Sequence, residues 1–138
     1  MNPRAAVLVL LAAAALGCAA RGRPFEEVKP VPPRHSVIYV YRPYSFFGSA
    51  IAPTVRCGGQ SAAIRPGAYH AFVVPADKPI SCYVETETAD AVDFDGGPEI
   101  QYLRERIGLG LIVGRPQLNP IDADQAQSEI QSCCVEQP

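Results

Sequence analysis

The chain has 138 residues, 48 % of them hydrophobic, five cysteines and a formal net charge of −2. Once an N-terminal leader is set aside, roughly a hundred residues remain, enough for one hydrophobic core and not two. A charge so close to neutral supplies no basic field to invite nucleic acid or acidic lipid.

In chain order, Arg4 comes first as the single cation of an n-region, followed by Ala5 to Leu16, all Ala, Val and Leu. That run is too short for the roughly 20 residues of a spanning helix, but it suits the apolar region of a signal peptide. Ala15-Leu16-Gly17-Cys18 closes it and resembles the lipobox of bacterial lipoproteins. The resemblance implies removal of residues 1–17, acylation of Cys18 and anchorage to a membrane outside the cytoplasm. An ordinary secretory signal, with Cys18 incidental, is the alternative. Two or three acyl chains anchor stably where one binds only reversibly. Ala19 stands where lipoproteins retained at the inner membrane often carry Asp, so the sorting pattern points to the outer membrane.

Residues 18–36 read as a tether. Arg21-Gly22-Arg23-Pro24, a charged stretch and Pro30-Val31-Pro32-Pro33 favour extended polyproline II over helix or sheet. Residues 37–138 form the domain. Its period is mostly two, with turn residues between short runs. Val37 to Arg42 is β-branched and aromatic; Ala52 to Cys57 alternates; Gly58-Gly59 turns the chain; Ala62 to Ile64 is short. Pro66-Gly67 suits a type II turn, where Gly accepts positive φ. Ala68 to Val74 follows, then a turn from Pro75 to Pro79. In Ile80 to Glu87, Ile80, Cys82, Val84 and Thr86 share one face. After an acidic loop come Ile100 to Ile107 and Leu109 to Val113. Short strands at this spacing predict a small antiparallel β-sandwich of the immunoglobulin-like kind.

One helix closes the chain. Asp122 caps it, Gln125 follows three residues on, and Ile121 can staple onto Ala126. Ala123, Ala126, Ile130 and Cys133 form one stripe, which predicts packing on the edge or open face of the sandwich.

Several of these segments carry a resemblance. Tyr39-Val40-Tyr41-Arg42, Gly58-Gly59, Pro66-Gly67-Ala68-Tyr69, Val74-Pro75 and Ile100-Gln101-Tyr102-Leu103-Arg104 resemble a bacterial lipoprotein family catalogued as domain of unknown function 2846. The match spans roughly residues 36–132, and Ala76-Asp77-Lys78 departs from the Gly and His usual after the Val-Pro turn. The resemblance implies a small sandwich similar to PEGA-type surface domains on a lipid anchor. It brings no catalytic residues.

Besides Cys18, Cys57, Cys82, Cys133 and Cys134 make an even number in an oxidising compartment. A bond between the adjacent Cys133 and Cys134 requires a strained ring. Cys57 and Cys82 sit on core-facing strand positions, and the helix stripe places Cys133 toward the same core. This pattern favours a staple from the helix to the sandwich through Cys133 or Cys134. A direct Cys57–Cys82 bond is the alternative. Either stabilises by about 2–4 kcal/mol.

Chemistry-bearing patterns are sparse. Asp90, Asp93, Asp95 and Glu99 form an acidic loop, but EF-hand alignment on Gly96 puts Ala91 and Tyr102 at essential ligand positions. His35 and His70 lack the neighbouring ligands that zinc needs. No Gly-x-Ser-x-Gly elbow seats a nucleophile, and Gly108 to Gly114 does not fit a dinucleotide fingerprint. No metal, cofactor or enzymatic activity is expected.

The remaining signal is aromatic. Tyr41, Arg42, Tyr44, Phe46 and Phe47 cluster in a loop after the first strand. Aromatics beside Arg are favoured at interface hot spots; alternatively the rings plug the end of the sandwich, or seat a small ligand. The sequence therefore points to a lipid-anchored, non-enzymatic binding or adaptor module with an envelope protein partner. The alternative is a structural accessory subunit of an envelope complex.

Overall fold

The computed structural model describes residues 22–86, 90–109 and 114–137. The expected signal peptide at 1–17, Cys18, Glu87 and the run 110–113 lie outside the described residues. The elements in order are β1 (His35–Arg42), β2 (Thr54–Cys57), β3 (Gln60–Ala63), β4 (Ala68–Pro75) and β5 (Ile80–Val84). They continue through β6 (Val92–Phe94), β7 (Ile100–Gly108), β8 (Arg115–Pro120), the helix α1 (Ala123–Cys133) and β9 (Val135–Glu136).

Two sheets form, in the orders β8-β7-β1-β4-β9 and β3-β2-β5-β6. The smaller sheet is antiparallel throughout, as the sequence predicts. The larger one is mixed, because β1 pairs in parallel with β7 and β4 with β9. Residues on the inner faces, among them Ile38, Val40, Val55, Phe72, Val74 and Leu103, bury one core between the sheets.

A second core lies on the outer face of the larger sheet. There Val37, Tyr39, Tyr41, Tyr69 and Tyr102 pack against Ala126 and Ile130 of α1. Burial on both faces explains why β1 reads as a continuous apolar run rather than an alternating one. The capping expected for α1 is present: the Asp122 carboxylate accepts the Gln125 N–H at 3.0 Å. Its buried stripe is Ala126 and Ile130, while Ala123 stays exposed.

Three expectations change. The segment read as a free tether is docked from Arg23 onward. Phe25, Val28 and Val31 pack into the outer core, and Pro24 bridges to Val135. Tyr102 donates to the Glu27 carboxylate, which also accepts from Gln127. An apolar residue every third position gave this Pro-rich segment a face to bury. The acidic loop, next, contains a strand: Val92 and Phe94 lean on the inner core with Asp93 exposed between them. Finally, the strand expected at Leu109–Val113 falls, beyond Leu109, outside the described residues, and Arg115–Pro120 forms a strand that the sequence did not suggest. Pro116 and Pro120 concealed it in the sequence, and it occupies a sheet edge, where proline is tolerated.

The cysteines pair differently from the favoured staple, as Cys57–Cys82 and as Cys133–Cys134. Cys57 and Cys82 are directly opposite on β2 and β5, with Cα atoms 4.2 Å apart, inside the inner core. Cys133 and Cys134 belong to the outer core. The larger sheet stands between the two sets, so the helix cannot be bonded to the strands of the smaller one.

Candidate functional site

The site grows from the end of β1. Successive residues of a strand point to opposite faces, and this divides the predicted aromatic cluster. Tyr41 faces the outer core, fully buried, and its hydroxyl donates to the Glu129 carboxylate at 2.7 Å. Arg104 donates to the same carboxylate at 2.9 and 3.1 Å. Burial and the Glu129 carboxylate raise the Tyr41 phenol above its ordinary range. Tyr41 is therefore structural.

Arg42 points to the inner face and is 3 % exposed. Its guanidinium donates to the carbonyls of Ile51 at 2.7 Å, Ile64 at 3.2 Å and Gly48 at 2.5 Å. These bonds tie the loop after β1 to the strands beneath it. Gly48 has φ +75°, and a Cβ there would collide with Ile107, so only glycine lets the loop settle onto β7.

Held this way, the rings face water. Tyr44 is 64 % exposed, Phe46 83 % and Phe47 57 %. Leu109, just past the end of β7, is 80 % exposed. The rings do not plug the sandwich. Phe46 and Phe47 meet edge to face, with centroids 6.0 Å apart.

Beneath the loop lies an open cleft of about 670 Å³, lined by Arg42, Tyr44, Phe47, Glu105, Ile107 and Leu109 among others. Glu105 is 1 % exposed, and among the described residues neither carboxylate oxygen has a hydrogen-bond partner. The β1–β7 register places it beside Arg42, since Tyr41 pairs with Arg104 one position earlier. Yet Arg42 spends its donors on carbonyls. Burial pushes the Glu105 carboxyl up to about 7, against the opposing pull of Arg42. At neutral pH it can donate or accept a hydrogen bond with comparable ease. Sequence reasoning missed this residue, although the signal was there: Glu105 falls in the same period-two phase as Leu103 and Ile107.

No family model, curated protein or solved structure matches this chain. The site must be read on its own chemistry.

The other sequence candidates do not converge on it. His70 packs edge to face on Phe72, and burial lowers its pKa. His35 begins β1, whereas His70 pairs with Val40 further along the ladder. Among the described residues, no three His, Cys, Asp or Glu side chains are grouped to hold a metal ion. The cleft combines an apolar aromatic rim with one unpartnered carboxyl at its base. Such an arrangement suits reversible contact with a surface or molecule that brings its own apolar groups and hydrogen-bond donors.

Proposed function

We propose that this chain is a bacterial lipoprotein, acylated at Cys18, whose domain is a non-enzymatic binding or adaptor module of the cell envelope. The lipobox and the resemblance to the lipoprotein family of domain of unknown function 2846, with its PEGA-like sandwich, support the anchor. The sorting residue Ala19 supports the outer membrane. One observation carries the binding role: Arg42 holds a loop so that Phe46, Phe47 and Tyr44 stay in water at the mouth of a cleft. Leaving a large apolar side chain exposed forgoes about 1.5–3 kcal/mol of burial. A buried clamp that maintains this arrangement has its rationale in a contact outside the chain.

A photo-cross-linking residue at position 46 in intact cells tests the reading. A discrete envelope adduct is expected from position 46 and none from the exposed Asp77. Equal yields at the two positions would remove the binding role. A fixed stoichiometry with one envelope protein, without a small ligand, would instead identify a structural accessory subunit.

A further inference from the structure

We propose that the cleft beneath the aromatic loop is a strand-addition site, which takes an extended segment of another protein's chain against the backbone of β7 where β1 has ended. The proposal rests on the binding role of the same site and names the form of its partner.

Register is the first argument. The β1–β7 pairing stops at Tyr41 and Arg104, whereas β7 runs on to Gly108, paired on its other side with β8. The Val37 amide donates to the Glu99 carbonyl, and a parallel ladder repeats that bond every second residue. The β7 residues whose backbone groups face β1 are therefore Gln101, Leu103, Glu105 and Ile107. In agreement, the Ile121 amide, just past β8, donates to the Tyr102 carbonyl, which faces the other way. Continuing the ladder would need the amide of residue 43 to donate to the Glu105 carbonyl. That residue is Pro43, which has no amide hydrogen. Among the described residues, no backbone partner meets the Glu105 carbonyl or the Ile107 amide and carbonyl on this side.

The second argument is the position of the cleft. Arg42 to Ser45 line one wall and Arg104 to Leu109 the other. Successive strand residues point to opposite faces. Lining by Arg104 and Arg106 together with Glu105 and Ile107 therefore means that the cleft follows the edge of β7, not one of its faces. At about 3.3 Å per residue, Glu105 to Leu109 offers about 13 Å of open edge. Exposed edges are usually blunted, and β8, at the margin of the same sheet, carries Pro116 and Pro120. No proline blunts β7.

The third argument is what fits. Alternating backbone acceptors and donors are matched by an extended polypeptide. Its apolar side chains would meet Phe47 and Leu109, and the Glu105 carboxyl at the base can bond a polar one. A second copy of this chain does not supply the segment. Among the described residues, its extended apolar segments are already paired in the two sheets or, from Phe25 to Val31, docked on the outer core. The occupant is a segment of a different protein, left unpaired in its own fold.

A random linear peptide library is selected on the full chain, purified from bacteria in detergent, and amide exchange is then followed residue by residue with the selected peptide bound. The Ile107 amide should exchange freely in the protein alone and slow by at least about tenfold with peptide. Lys78, exposed at the opposite end of the sandwich, should not change. N-methylation of every second peptide nitrogen should abolish binding and that of the intervening ones should be tolerated, because only alternate amides of an added strand face β7. Unchanged Ile107 exchange with peptide bound overturns strand addition and leaves the binding role standing. Binding that survives N-methylation at every position does the same. A library that yields no binder also overturns strand addition, and the cross-link at position 46 then decides the binding role separately.

Discussion

Glu105→Gln should make the protein more stable at alkaline pH and leave it nearly unchanged in acid. In the folded chain the carboxyl is buried, without a hydrogen-bond partner among the described residues, and its pKa is raised from 4.5 to about 7. A raised carboxylate pKa means that the folded state holds its proton longer than the unfolded state does. Stability from this group is fully present below about pH 4.5, falls between 4.5 and 7, and stays lost above 7. The shift of about 2.5 units, at 1.36 kcal/mol per unit, corresponds to about 3 kcal/mol. Glutamine keeps the shape and removes the ionisation. Urea denaturation of wild type and variant at pH 4.5, 6, 7 and 8 should therefore give curves that coincide in acid and diverge to about 3 kcal/mol at pH 8. Loss of stability below about pH 4.5 is shared by both proteins, because hydrogen bonds from Lys29 and Tyr102 hold Glu27 below its ordinary range, and those from Tyr41, Gln125 and Arg104 do the same for Glu129 despite partial burial. A variant less stable than wild type at pH 8 would refute the reasoning. It would mean that the Glu105 carboxylate is paired, with Arg42 as its partner.

Three further outcomes are expected. Cys57→Ala with Cys82→Ala should cost about 3 kcal/mol in urea denaturation, as the bond closes a separation of 25 residues. Cys133→Ala with Cys134→Ala should cost less, because joining neighbours scarcely restricts the unfolded chain; a thiol titration near four in denatured, nonreduced protein would contradict both pairings. Tyr102→Phe removes the hydroxyl shared by Glu27 and Gln127. It should cost about 1–2 kcal/mol and speed hydrogen exchange at the Val28 amide, which donates to Tyr39; unchanged exchange would detach Tyr102 from the docking of this segment. Phe46→Ser with Phe47→Ser should shift stability by less than about 0.5 kcal/mol, since both rings are exposed. A drop of several kcal/mol would place them in the core.

Some features were fixed by local chemistry and could be read directly. Alternation in Thr54 to Cys57 and Ile80 to Val84, a Pro66-Gly67 turn and the Asp122 cap each depend on a few neighbouring residues. In the sequence β6 reads as part of an acidic loop, because the acidic residues around Val92-Asp93-Phe94 obscure its alternation. β8 was not legible, because its two prolines argue against a strand unless the strand is known to lie at an edge.

The candidate site divides along the same line. An aromatic run beside an arginine was visible in Tyr41 to Phe47, but its division was not. Whether a ring is core or surface depends on which face its strand presents, and on what covers that face. Tyr41 is buried because α1 and the N-terminal segment cover the outer sheet, while Phe46 is exposed because Arg42 ties its loop down from the opposite side. Glu105 could be suspected from its phase in β7, but its lack of a partner follows from Arg42 being committed to three carbonyls. The cysteine pairing belongs with these. Sequence supplied four thiols, three of them on apolar phases, and the sheet between the two cores decided which could meet. Period, caps and turns are short-range and lie in the chain itself. Facing, pairing and exposure are set by residues far apart in sequence, and only the packed structure brings them together.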